Sequence, residues 1–210
     1  HGFSAAASTD FSDTVSAVGS LLHVFGNEAP LLGYSMGARI ALVVAMERPE
    51  SVPALIVVSG TPGIEDAKQR NERLNSDIAL GRSLRDSPVE EFLDAWTSSG
   101  ITDTSHLQDS IRTSDRIARQ QNTSSGLASA LAGLSQGVQP SLWSRLDELA
   151  MPVLLVHGGG DAKYSYFADR MSRSIPDCEV VRIADAGHNP LLDAPEETYG
   201  KISDFLERLS

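Results

Sequence analysis

An α/β fold built on a mostly parallel sheet is predicted by three observations. Short β-branched and aliphatic runs bounded by turn residues alternate with longer segments of helical periodicity, which is how strands joined by crossover helices read. A chain of 210 residues with 41% apolar content can bury one sizeable core. Between Gly60 and Ala150 the strand signal disappears into helix formers and charge, so a helical insertion interrupts the sheet.

Each element has its own signal. A helix is expected from about Asp10 to Phe25, then a strand in "APLLGYS", then a helix in "ARIALVVAMERPE" ended by Pro49. "PALIVVSG" reads as a buried strand. In the insertion, "SPVEEFLDAW" carries a capping box from Ser87 to Glu90 with proline at the first helical position. "MPVLLVHGGGD" is the next strand, followed by a helix from about Tyr164 to Ser174. "CEVVRIADAGHN" is the last strand with its loop, and "APEETYGKISDFLERLS" closes as an amphipathic helix. The expected division is a core of residues 1–60 and 151–210 and a helical lid of residues 61–150. No internal repeat or low-complexity tract appears.

Composition excludes several classes of function. A formal charge of −11 argues against a nucleic-acid partner, which needs clustered Lys and Arg. It also gives no overall attraction for an anionic substrate, so anion recognition must come from arginines gathered locally. The longest apolar runs are too short for a membrane span, and no signal peptide is expected. The single cysteine, Cys178, suits a reducing compartment and reads as an ordinary strand residue. No metal or organic cofactor is implied: no His/Cys cluster has ligand spacing, and the glycines of "HGGGD" are not followed by a phosphate-loop pattern.

Residues 33–37, "GYSMG", place a serine between glycines where a strand gives way to a helix, the pattern of a nucleophile elbow. That motif is weak alone. It gains force because Asp161 follows a later strand and His188 follows the last one, the chain order of the α/β-hydrolase fold. In this reading His188 deprotonates Ser35, and Asp161 fixes the tautomer and orientation of the imidazole. Asp185 and Asp193 sit too near His188 in sequence to take the post-strand position. His157 is expected to pack at a strand end, and His23 and His106 to lie on helical segments in structural roles.

The chain opens "HGFSAAASTDFSD". Only Phe3 to Tyr34 separate this His-Gly from the elbow, room for one helix and one strand, so it does not read as the oxyanion loop of the fold. His1 to Ser4 instead resembles the loop that follows the fourth strand. The sheet is therefore expected to lack its N-terminal strands and the second oxyanion donor, leaving the backbone N–H of Met36.

"LGYSMGARIAL", "SGTPG" with the arginine-rich helix behind it, "GVQPSLW", "GGGDAKY" and "AGHNPLLDAPE" together resemble the MenH family, 2-succinyl-6-hydroxy-2,4-cyclohexadiene-1-carboxylate synthases of menaquinone and phylloquinone biosynthesis. The likeness covers nearly the whole chain. "SMGARIAL" and "QPSLW" resemble most the plant and algal form, where the domain ends a large fused plastid protein, and cyanobacterial relatives. The resemblance implies a lyase: a proton leaves the ring of a substrate bearing several carboxylates, and enolpyruvyl departs as pyruvate. It implies a plastid location for a plant or algal chain and a cytoplasmic one for a bacterial chain.

Arg39, four residues after Ser35, falls on the same helix face and suits a carboxylate, which a guanidinium binds through a planar fork. By resemblance Arg73 and Arg119 supply further anion contacts from the lid, and Tyr34, Met36 and Trp96 fall on pocket positions, with Arg70 and Lys163 in the basic lining. The alternatives are solvated helix faces for the arginines and lid core for Trp96. Two other functions fit the same residues: a serine hydrolase of an ester or carbon–carbon bond, and a non-catalytic module that keeps the fold.

Overall fold

Four parallel strands form one sheet in the order β1-β2-β3-β4 in a computed structural model of the chain, which describes residues 9–26, 28–85, 87–98 and 100–209. They are β1 (Leu31–Tyr34), β2 (Leu55–Val58), β3 (Val153–Gly158) and β4 (Cys178–Ile183). Leu31 pairs with Leu55, Leu55 with Val153, and Val153 with Cys178, so the strands start level and end at one edge of the sheet. Every residue of β2 and β3 is buried, which explains why Leu55–Val58 and residues 153–156 are continuous aliphatic runs with no polar alternation. Helices α1 (Phe11–Val24), α2 (Met36–Glu47), α7 (Ala162–Ser172), α8 (Pro190–Asp193) and α9 (Pro195–Glu207) accompany the strands in the sequence.

One side of the sheet core joins Ala54, Ile56, Val58, Leu154, Val156 and Ile183 to Ile202 and Phe205 of α9. Helix α2 packs on β1 and β2 and buries an unbroken run from Ala38 to Met46. It stops at Glu47 because Pro49 has no N–H to continue it; the last turn is closed by Arg48 N–H on the Val44 carbonyl.

The chain divides into two compact units. The sheet unit holds Thr14–Gly63 and Ser141–Ser210; the helical unit holds Ile64–Pro140 with the segment ending at Asp13. The sequence pattern alone places the boundaries at Gly60 and Ala150. Residues just past Pro140 are tied into the sheet unit, with Leu142 N–H on the Pro62 carbonyl and Trp143 Nε1–H on the Gly63 carbonyl. The helical unit contains α3 (Ala67–Arg85), α4 (Val89–Thr97), α5 (Asp109–Arg119) and α6 (Ser124–Gly133), with α3 packed along α6.

Three local expectations are corrected. Ser87 does not cap α4: its N–H bonds the Leu84 carbonyl and its hydroxyl the Ser83 carbonyl, so it closes α3, and α4 starts from Pro88 with no side-chain cap. His106 lies in a turn before α5 instead of on a helix. The helix after β3 begins two residues earlier than expected, for a reason that belongs to the site. The His1 to Ser4 loop lies outside the described residues. No helix among the described residues is long and apolar enough to cross a membrane, and no group of three or more His, Cys, Asp or Glu among them could hold a metal.

Candidate active site

Ser35 stands between β1 and α2 with φ 49° and ψ −106°, backbone that a residue with a Cβ rarely adopts. The conformation is fixed from both sides. Its N–H donates to the Val58 carbonyl at 2.9 Å, prolonging the parallel ladder, while its carbonyl accepts from Arg39 N–H at 3.2 Å and starts the helix. Gly33 makes the turn sterically feasible, since a Cβ there would lie 2.4 Å from the Gly37 carbonyl oxygen. Met36 opens α2, so its N–H has no intrahelical acceptor and sits at the positive end of the helix dipole.

The Ser35 hydroxyl lies 3.0 Å from His188 Nε2, and His188 Nδ1 lies 2.7 Å from Asp161 Oδ2. With the proton on Nδ1 directed to the carboxylate, Nε2 is left to accept from the serine. Asp161 also acts through its other oxygen, since Oδ1 accepts the Tyr164 N–H at 3.1 Å as the N-cap of α7. That cap starts the helix at Ala162 and locks the carboxylate from behind.

The glycines of "HGGGD" serve close approach of two loops. A Cβ on Gly158 would fall 1.9 Å from the Gly187 carbonyl oxygen, so only glycine lets the acid loop press against the histidine loop. Gly159 N–H and Gly160 N–H then bond the Ile183 and Ala186 carbonyls. The histidine loop is held further by Asp193, whose Oδ2 accepts the Gly187 N–H at 2.7 Å, and by the buried Thr198, whose hydroxyl reaches the Pro190 carbonyl at 2.8 Å. Tyr164 packs its ring 4.4 Å from the imidazole centroid and Tyr34 packs at 5.6 Å. The contacts that Tyr164, Asp193 and Thr198 make around His188 are brought about by the fold.

Burial pushes the Asp161 carboxyl up, but the His188 hydrogen bond, the Tyr164 N–H and the charges of His188 and Lys163 outweigh it and hold the group below the ordinary aspartate range. A depressed carboxylate stabilises the fold above its unfolded pKa, and that contribution is lost as pH falls through the folded value. Wild type should therefore exceed Asp161→Asn in urea midpoint at neutral pH, and the two should converge below the ordinary aspartate range. A gap that stays constant into acid would uncouple Asp161 ionisation from stability.

The remaining predicted residues divide between the units. In the sheet unit Arg39 is 6% exposed, one turn into α2. Lys163 is exposed, with Nζ 5.4 Å from the Tyr164 ring centroid. His157 is buried at the end of β3 with Nδ1 3.1 Å from the Gly158 carbonyl, and Cys178 opens β4 with its thiol pushed up to about 11, chiefly by burial.

In the helical unit Trp96 stacks on Phe92 at 5.3 Å. Arg73 is bonded through Nε to Asp77, and Arg119 through Nε to Asp115. Arg70, read as basic lining, spends Nη1 on the Ile64 and Glu65 carbonyls and braces the entry to α3. A cleft of about 450 Å³ within this unit is lined by Leu93, Thr97, Thr104, Arg112, Arg116 and Arg119, among others.

The profile of the alpha/beta hydrolase family matches residues 1–200. A Bacillus subtilis protein provisionally named 2-succinyl-6-hydroxy-2,4-cyclohexadiene-1-carboxylate synthase is 35% identical over 92% of this chain and 72% of its own length. Protein PHYLLO, chloroplastic, of Arabidopsis thaliana is 33% identical over 85% of this chain, which matches 11% of that protein. The solved structure of MenH from S. aureus superimposes with a TM-score of 0.89 at 28% identity, covering 95% of this chain and 76% of that one. The family match over residues 1–200 and a relative 35% identical over 92% of this chain show that the chain belongs to the alpha/beta hydrolase family and, within it, to the MenH family.

Proposed function

We propose that the chain is a carbon–oxygen lyase of menaquinone or phylloquinone biosynthesis, eliminating pyruvate from 2-succinyl-5-enolpyruvyl-6-hydroxy-3-cyclohexene-1-carboxylate to give 2-succinyl-6-hydroxy-2,4-cyclohexadiene-1-carboxylate. The observation that carries this reading over hydrolysis is the buried guanidinium of Arg39 on the helix that Ser35 opens, in a chain of the MenH family. A site for neutral acyl chains gains nothing from a charge there, whereas a polycarboxylate needs one.

The substrate and product names fix the bond changes. The ring double bond between C3 and C4 becomes a diene at C2=C3 and C4=C5, so the proton leaves C2 and the enolpyruvyl oxygen leaves C5. C2 carries the succinyl ketone, and the electron pair left by the proton delocalises onto that carbonyl oxygen before expelling the leaving group. Ser35, Asp161 and His188 act as a triad with an altered role. His188 Nε2 draws the hydroxyl proton of Ser35, whose oxygen takes the C2 proton or relays it to the imidazole, while Asp161 stabilises the imidazolium. The Met36 N–H is the donor for the developing enolate oxygen. Arg39 holds a carboxylate, and by resemblance Arg73, Arg119 and Lys163 hold others, with Tyr34 and Trp96 as ring contacts. The departing enolpyruvate takes up a proton and becomes pyruvate, so no acyl-enzyme forms.

The test is pyruvate release followed beside the absorbance of the conjugated diene. One pyruvate per diene is expected, with no burst on activated esters. Ester turnover through an acyl-enzyme, without pyruvate from the cyclohexene substrate, would make the chain a hydrolase.

A further inference from the structure

Five arginines of the helical unit are held in two different ways. Arg70, Arg112 and Arg116 are bonded through terminal nitrogens, Nη1 or Nη2, to carbonyls or surface aspartates. Arg73 and Arg119 are gripped through Nε by an aspartate one helical turn away: Arg73 by both oxygens of Asp77 at 2.8 and 2.9 Å, Arg119 by Asp115 at 2.6 Å. Among the described residues neither makes a further side-chain bond. A guanidinium held at Nε keeps four N–H donors on its two terminal nitrogens, the set that forms a bidentate bond with a carboxylate.

Asp77 is anchored on its far side as well. Its side chain is 9% exposed; Oδ2 accepts the Ser135 hydroxyl at 2.7 Å, and Ser135 Oγ accepts the Gly137 N–H at 2.9 Å. A buried carboxylate costs solvation, and helix stabilisation does not explain it, because an arginine four residues before an aspartate is the weaker orientation of such a pair. The arrangement instead fixes the guanidinium of Arg73 before any ligand arrives, removing rotamer freedom that binding would otherwise have to freeze.

We infer that Asp77 is a positioning residue: it holds Arg73 at Nε so that the terminal nitrogens stand ready for a substrate carboxylate. This rests on the reading of Arg73 as a substrate contact. Asp77 does not touch the substrate in this account; it acts through Arg73.

A double-mutant cycle on KM for the enolpyruvyl substrate, read by pyruvate release, tests it. Asp77→Asn should raise KM about tenfold and leave kcat within about twofold, since a preformed contact is lost and the proton transfer is untouched. In the Arg73→Ala background the same substitution should change KM by less than about twofold, because the partner through which it acts is gone. Ser135→Ala, milder for folding, should raise KM by about threefold and likewise lose its effect without Arg73.

Equal KM effects of Asp77→Asn with and without Arg73, or a fall in kcat alone, would overturn the positioning role and leave Arg73 as a contact. A normal KM for Arg73→Ala itself would overturn the substrate reading of that arginine and the inference with it.

Discussion

Ser35→Ala lowers kcat for pyruvate release by about 10²- to 10⁴-fold and leaves the substrate Kd within about twofold of wild type. The two halves of this expectation come from different groups. In the proposed mechanism the hydroxyl, 3.0 Å from His188 Nε2, supplies the route for the ring proton, so its loss is felt only in the transition state. In that mechanism affinity comes from guanidiniums on other positions, which the substitution leaves in place. The backbone at Ser35 stays strained in the variant, since alanine meets the same φ of 49°, so the elbow is not relaxed and the comparison isolates the hydroxyl. Kd by calorimetry and kcat by a coupled pyruvate assay separate the two. Turnover within tenfold of wild type would remove Ser35 from the proton path and leave His188 acting on the substrate directly. A parallel loss of affinity would mean that the hydroxyl is a binding group.

The sheet and the three residues at its strand ends are legible in the sequence because each depends on short-range pattern. Aliphatic runs such as Leu55 to Val58 and Val153 to Val156 can only be buried strands, and the order serine, aspartate, histidine follows from where each strand stops. What surrounds the three residues is not legible, because it is made by chain segments far apart in sequence. Asp193 reads as a rival acid too near His188 to serve; its carboxylate instead takes the Gly187 N–H and shapes the loop that presents His188. The glycines of residues 158–160 suggest a ligand cradle that the following residues exclude by pattern; the reason for Gly158 is the Gly187 carbonyl, 29 residues on.

The helical unit shows the same limit. Ser87 and Glu90 have the spacing of a capping box, yet the end of α3 competes for the serine and wins, because the Ser83 and Leu84 carbonyls lie within its reach. Arg70 and Arg73, three residues apart, look equivalent in sequence. Arg70 spends its guanidinium on the Ile64 and Glu65 carbonyls, while Arg73 is held by Asp77; a local difference is the residue one turn on, Leu74 after Arg70 and Asp77 after Arg73.

Arg39→Ala lowers kcat/KM for the enolpyruvyl substrate by about ten- to a hundredfold, the loss of one charge-assisted contact of roughly 1.5 to 3 kcal/mol. The residue lies one turn after Ser35 and is 6% exposed, so its charge is poorly solvated and an anion beside it is favoured more than at the surface. Arg39→Lys recovers only part of the activity, because an ammonium keeps the charge and loses the planar fork. Removing a buried side chain from α2 could also disturb the elbow, and a second measurement separates that from lost recognition. The rate at which an uncharged phosphonate labels Ser35 depends on the serine, His188 and Asp161, and presents no carboxylate for a guanidinium to hold. An unchanged labelling rate beside a large fall in kcat/KM assigns Arg39 to the substrate carboxylate. Equal losses in both would make Arg39 a support of the elbow helix, and the preference for elimination over hydrolysis would then stand on family membership without a local anion contact.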